Sequence, residues 1–85
     1  MYKLLMQNSR ADKNLRRYVN TRKDVSEKLD KLKFNPFREI GAHPLKGDLK
    51  GKWSCWLGFK IRMIYRIDVE KKLIIVELVW GHNIY

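Results

Sequence analysis

The run Leu73–Trp80 constrains the fold most, because every residue in it is apolar except Glu77. A strand with apolar side chains on both faces is buried on both sides, so it lies inside a sheet. The run is also far shorter than the roughly 20 apolar residues that a membrane-spanning helix needs. The sequence therefore predicts an interior β-strand over residues 72–80 and no membrane span.

Two more strands are predicted just before this one, over residues 52–58 and 60–68, and a short strand over residues 2–7. In the strand 60–68, four apolar side chains alternate with a set that includes Arg62 and Arg66. Successive side chains of a strand point to opposite faces of the sheet. One face therefore packs against a core, and the other presents two arginines to solvent or to a ligand.

Two amphipathic helices are predicted between these strands, over about residues 10–20 and 22–34. Their apolar residues recur at helical spacing: Ala11, Leu15, Tyr18 and Val19, then Val25, Leu29 and Leu32. Ser9 is the expected N-cap of the first helix. Thr21 and Asp24 resemble a capping box for the second, which ends at Asn35-Pro36. The opposite side of the hairpin is basic, either as a solvated surface or as one that meets phosphate or a partner.

The order β-α-α-β-β-β predicts an α+β fold, in which a two-helix hairpin packs on one side of a mainly antiparallel four-stranded sheet. A chain of 85 residues without repeats is expected to form a single domain over residues 1–85. The connection 35–51 is long for so small a domain, and loops of that kind are usually functional or disordered.

Charge is the strongest compositional signal, since 19 Lys and Arg against 9 Asp and Glu leave a net charge of +10. Such a charge attracts polyanions, and nucleic acid is the favoured partner. An anionic membrane surface or an acidic protein is equally compatible with the composition. The single Cys55 forms no internal disulfide and the apolar N-terminal run is too short for a signal peptide, so a cytoplasmic location is expected. With one Cys and two His, no metal and no cofactor are expected.

One stretch of the chain is recognisable as a motif. The run Pro44-Leu45-Lys46-x-x-Leu49-x-Gly51-x-Trp53-Ser54, followed by Arg62-Met63-Ile64-Tyr65, resembles the RelE/ParE toxin superfamily and is closest to its YoeB/Txe and YafQ-like branches. The resemblance implies a toxin of a type II toxin–antitoxin system, and most members cleave mRNA in the ribosomal A site without a metal. It also implies an acidic, partly disordered antitoxin as partner. The alternatives are a ParE-type inhibitor of DNA gyrase and a basic RNA-binding module without catalysis.

The resemblance also assigns candidate catalytic residues. Arg62 matches the family's catalytic arginine, and His82 matches a C-terminal histidine that some branches use for proton transfer. Tyr85 matches a C-terminal aromatic residue that stacks on a base or assists the chemistry. His43 lies near a position where one branch has a carboxylate and another a histidine, so the general base stays open.

These residue types suit cleavage of RNA by its own 2′-hydroxyl. Histidine titrates near neutral pH and can move the proton, and arginine binds phosphate oxygens through its planar fork. An aromatic ring can stack on a splayed base. The expected RNA-binding residues are the basic side chains around the motif and one exposed aromatic residue: Lys46, Lys50, Lys52, Lys60, Arg66 and Trp56.

Overall fold

The structure is a computed structural model that describes residues 1–81. Its helices and strands follow the predicted order, with one short strand added. They are β1 (Lys3–Met6), α1 (Ser9–Thr21), α2 (Lys23–Phe34), β2 (His43–Pro44), β3 (Trp53–Gly58), β4 (Ile61–Asp68) and β5 (Leu73–Gly81). Single 3₁₀ turns at Glu39–Gly41 and Gly47–Leu49 occupy part of the long connection. No helix in this part of the chain is long and apolar enough to cross a membrane.

The sheet is mixed and has five strands, in the order β1-β5-β4-β3-β2. The predicted count of four strands omitted β2, in which His43 and Pro44 pair with Ser54 and Trp53 of β3. A proline is compatible with pairing there because β2 is an edge strand, whose outer side needs no donor. The pairs of β3, β4 and β5 are antiparallel, whereas β1 is parallel to β5. As predicted, β5 is an interior strand, since it pairs on both sides.

Both helices pack on the same face of the sheet. The core consists of one apolar stripe from each helix and the inward side chains of β3, β4 and β5. Its buried residues are Ala11, Leu15, Tyr18, Val25, Leu29, Leu32, Cys55, Leu57, Ile61, Met63, Tyr65, Ile74, Val76 and Val79. We call the opposite face of the sheet the open face. It carries Arg62 and Arg66, as the alternation of β4 predicts.

The helix caps differ from the predicted ones. Asn8, not Ser9, is the N-cap of α1, and its Oδ1 accepts a hydrogen bond from the Ala11 amide at 2.8 Å. Asn8 has the extended backbone of an N-cap, and its short carbonyl reaches the free amides of the first turn. The predicted capping box does not form, because Thr21 donates to the carbonyl of Arg17. The Asp24 carboxylate pairs instead with Arg22, with Nη2 and Oδ2 2.8 Å apart.

A buried hydrogen bond joins β4 to the loop that follows α2. The Tyr65 hydroxyl donates to the carbonyl oxygen of Pro36 at 2.8 Å, and the Tyr65 side chain is fully buried. Burial raises the pKa of Tyr65, so the hydroxyl stays protonated and remains a donor. The contact positions the start of the long connection against the core.

Tyr65→Phe is expected to lower the free energy of unfolding by about 1–3 kcal/mol, because it leaves the buried Pro36 carbonyl without its donor. Denaturant unfolding at neutral pH measures the change. Tyr18→Phe is the matched control, since the Tyr18 hydroxyl donates to no acceptor among residues 1–81. Equal stability of the Tyr65 variant and the parent would show that the contact contributes nothing.

Candidate functional site

A row of three large side chains crosses the open face near one end of the sheet. Trp56 of β3 is the cross-strand partner of Arg62 on β4, and Arg62 is the partner of Trp80 on β5. The Arg62 guanidinium carbon lies 4.8 Å from the centre of the Trp56 ring and 5.9 Å from that of Trp80. These distances are within the range of cation–π attraction. The arginine is therefore flanked by two indoles.

The charge of Arg62 is not neutralised by any carboxylate within residues 1–81. Its Nη2 donates to the hydroxyl of Ser54 at 2.7 Å. Its Nε is buried and has no hydrogen-bond partner in the described chain. A buried polar group without a partner is costly. Arg62 thus offers a partly desolvated positive charge, with donors to spare, to an anion that approaches the open face.

Trp56 is the exposed member of the row, with 42% of its surface accessible. The 3₁₀ turn Glu39–Gly41 lies beside its ring, because a Cβ added to Gly41 would sit 3.3 Å from Trp56 Cδ1. Gly41 also has a φ of +70°, a conformation that glycine adopts without strain. The turn therefore supports one edge of the indole and leaves the rest accessible to a flat ligand.

In a second cluster on the open face, two cations share one carboxylate, which leaves a single net positive charge. The Glu77 carboxylate pairs with Lys52 Nζ at 2.7 Å and with Arg66 Nε at 2.6 Å. Burial raises the pKa of the Glu77 carboxyl, but hydrogen bonds and attraction from the two cations outweigh it and keep that pKa below its ordinary value of 4.5. The carboxylate is therefore charged at neutral pH. The contribution of this charge to the free energy of unfolding is present at neutral pH and is lost as the pH falls through the lowered pKa of Glu77.

Glu77 occupies this place because β5 contains a bulge. Ile64 pairs with Leu78 and the next residue, Tyr65, pairs with Val76, so Glu77 is the extra residue. A bulge puts two consecutive residues opposite one and redirects the side chains around it. Beyond it, Val79 is buried in the core and Trp80 reaches the ring contact with Arg62 on the open face.

His43 lies at the edge of the open face. It pairs with Ser54, and directly paired residues of an antiparallel ladder project to the same face. Ser54 in turn accepts the hydrogen bond from Arg62. The exposed His43 ring has Nδ1 3.0 Å from the carbonyl oxygen of Gly41. If Nδ1 carries the proton of that contact, Nε2 is left as an acceptor.

The structure brings some of the predicted site residues together and separates others. Arg62, Trp56 and His43 share one face, and Lys52 and Arg66 share it as partners of Glu77. Lys46 and Lys50 are exposed on either side of the turn Gly47–Leu49. Lys60 is in the β3–β4 turn, where its Nζ lies 5.2 Å from the centre of the Phe59 ring. The predicted catalytic residues His82 and Tyr85 lie outside the described residues.

Sequence reasoning missed Ser54 and Trp80 as neighbours of Arg62, and it did not pair Glu77 with Lys52 and Arg66. The single signal for this cluster in the sequence was the charge of Glu77, since a lone carboxylate in an interior strand needs cationic partners. Cys55 lies in the core, and burial raises the pKa of its thiol to about 12, with a smaller opposing effect from Arg62.

The fold recurs in solved structures of toxins. A YoeB/ParE toxin from Agrobacterium tumefaciens superposes with a TM-score of 0.72 at 27% identity, over 95% of this chain and 99% of that one. The toxin–antitoxin complex RelBE2 from Mycobacterium tuberculosis gives 0.73 at 24%, over 95% and 98%. The isolated RelE toxin of E. coli gives 0.74 at 23%, over 100% and 88%. No protein-family model matches the sequence, and no curated protein matches it.

Proposed function

We propose that this chain, which belongs by its fold to the RelE/ParE toxin superfamily, is the toxin of a type II toxin–antitoxin pair and an endoribonuclease. It would cleave mRNA on the ribosome, in the cytoplasm and without a metal, and so inhibit translation. The superposed chains match it over nearly their whole length, which supports the same overall role. The nuclease activity is proposed from the chemistry of the open face.

The observation that carries this proposal is the state of Arg62. Two other cations of the same face, Lys52 and Arg66, are already paired with Glu77, whereas Arg62 has no carboxylate partner among residues 1–81. An arginine kept partly buried without a counter-charge suits a ligand that brings the charge, and a phosphate of RNA does so. In the transition state of cleavage that phosphate gains negative charge, which a preorganised cation stabilises.

The proposed reaction begins when the 2′-oxygen of the RNA attacks the adjacent phosphorus. A general base removes the 2′-hydroxyl proton, and His43 or His82 is the candidate for this step. The bond from phosphorus to the 5′-oxygen then breaks, and a general acid protonates that oxygen. The products are a 2′,3′-cyclic phosphate and a 5′-hydroxyl. Positioned acid–base groups typically accelerate such a step by about 10²–10⁴-fold.

The remaining candidate residues have binding roles in this proposal. Trp56 would stack on a base beside Arg62, and its 42% accessibility supports this role. Tyr85 is a second candidate for stacking or for proton transfer. The phosphate backbone would follow the lysines of the loop and the turn: Lys46, Lys50 and Lys60. An acidic, partly disordered antitoxin would neutralise the toxin by covering the same basic face.

The proposal is tested by expressing the protein in growing bacteria and mapping the 5′ ends of mRNA. Cuts inside translated frames that disappear in the Arg62→Ala variant are expected. DNA damage with intact mRNA would identify a gyrase inhibitor instead. RNA binding without any cut would identify a binding module.

Glu77→Gln is expected to increase affinity for single-stranded RNA and to steepen its salt dependence, because the change releases Lys52 and Arg66. Each added phosphate contact changes the slope of log affinity against log salt by about −0.7. Titrations at several salt concentrations measure it. Glu70→Gln removes the same charge from an exposed turn and is the control. Equal slopes in the two variants would mean that neither released cation contacts RNA.

A further inference from the structure

We propose that Trp80 is a positioning residue for Arg62, and that its indole sets where the guanidinium meets the scissile phosphate. This inference rests on the function proposed above and adds a residue that neither the motif nor the charge pattern points to. Trp80 lies on β5 directly beside Arg62 in the strand register. It would act on RNA only through the arginine.

The Arg62 guanidinium lies between two indole rings. The guanidinium carbon is 4.8 Å from the Trp56 ring centre on one side and 5.9 Å from the Trp80 ring centre on the other. Its Nη2 is fixed from a third direction by the Ser54 hydroxyl at 2.7 Å. A flexible arginine is thereby restricted before any ligand arrives. Restriction of this kind matters because a misplacement of about 1 Å can cost roughly 10²-fold in rate.

An indole positions an arginine without removing its charge. The same face shows the contrast, because Arg66 is held by the Glu77 carboxylate at 2.6 Å and its charge is partly offset by that contact. The ring attracts the cation through its quadrupole and has no formal charge. Arg62 is thus kept in place and remains free to stabilise a phosphate.

Trp80 reaches this place through two features of β5. Because Glu77 is an extra residue, the alternation of inward and outward side chains in β5 is shifted by one position beyond it. Trp80 rather than Val79 therefore projects to the open face. Beyond Met6, where β1 ends, two asparagines of the helix side bind the edge of β5. Asn8 Nδ2 donates to the Glu77 carbonyl and Asn14 Nδ2 donates to the Val79 carbonyl, both at 3.0 Å. They hold β5 at the bulge residue and two residues beyond it, where the shifted register begins.

The test compares Trp80→Leu and Trp80→Phe with the parent, and uses Trp53→Phe as control. Trp53 packs on the core side, with its ring 5.4 Å from that of Phe37. Two properties are measured. The first is RNA cleavage on translating ribosomes, resolved into kcat and KM. The second is the Arg62 Nε–H resonance in labelled protein, identified by its loss in Arg62→Lys, together with its rate of exchange with water.

Trp80→Leu is expected to lower kcat by about 10- to 100-fold with KM nearly unchanged. The Arg62 resonance should move, since ring currents from one indole are lost, and its exchange should become faster. Trp80→Phe should restore most of kcat, because a second ring is again available. Trp53→Phe should change neither property. If Trp80→Leu does not fold, Asn14→Ala replaces it, with a smaller change in the same direction.

Three results would overturn the inference. One is an unmoved Arg62 resonance in folded Trp80→Leu. Another is an unchanged kcat in that variant. The third is a loss that appears mainly in KM and that phenylalanine does not restore, which would place Trp80 in direct contact with RNA. If the parent protein cleaves no RNA, the proposed function fails, and the resonance still decides whether Trp80 positions Arg62.

Discussion

Arg62→Ala should reduce RNA cleavage by about 10²–10³-fold, which is the usual cost of removing one preorganised donor to a developing charge. The reason lies in its environment, where two indoles and the Ser54 hydroxyl surround a cation that has no carboxylate partner among residues 1–81. Arg62→Lys should recover little, because an ammonium lacks the planar fork that binds two phosphate oxygens and fits between two rings. Single-turnover cleavage on ribosomes measures the loss.

The fold should survive this substitution, because Arg62 lies on the face opposite the helices and makes no core contact. Arg10→Ala, which removes the same charge from an exposed position of α1, is the matched control. Its cleavage rate should stay close to that of the parent. A folded Arg62→Ala protein with the toxicity of the parent would rule out a role for Arg62 in the chemistry.

His82→Gln is expected to have an effect of similar size, about 10²–10⁴-fold on turnover, with substrate binding retained. Glutamine preserves the approximate size and the hydrogen-bonding capacity of histidine but does not titrate near neutral pH. The pH–rate profile of the parent should therefore contain a limb that the variant lacks. If His43 is the general base instead, that limb should disappear in His43→Gln and remain in His82→Gln.

Tyr85 is tested by three variants of the last residue. If its ring stacks on a base, Tyr85→Phe should be mild, whereas Tyr85→Ala and deletion of Tyr85 should be severe. If its hydroxyl transfers a proton, phenylalanine and alanine should be equally damaging. Unchanged cleavage by the deletion variant would exclude the residue from the mechanism and leave His43 and the loop lysines as the candidates.

Much of the fold was predictable from local patterns. The helical stripes of α1 and α2 and the alternation of β4 are short-range signals, because they depend only on which residues share one face of one element. The run of β5, apolar except for Glu77, likewise indicated an interior strand. The alternation of β4 also predicted correctly that Arg62 lies on the open face.

What only the tertiary structure decided is how neighbouring strands are aligned. The bulge at Glu77 is invisible in the sequence, yet it moves Val79 into the core and Trp80 beside Arg62. It also places one carboxylate between Lys52 and Arg66, a pairing that composition alone does not reveal. The sequence determines the side-chain alternation within a strand, but the register between strands depends on pairing and packing across the whole sheet. The extra residue Glu77 therefore determines that Lys52 and Arg66 share a carboxylate, whereas Arg62 has none among residues 1–81.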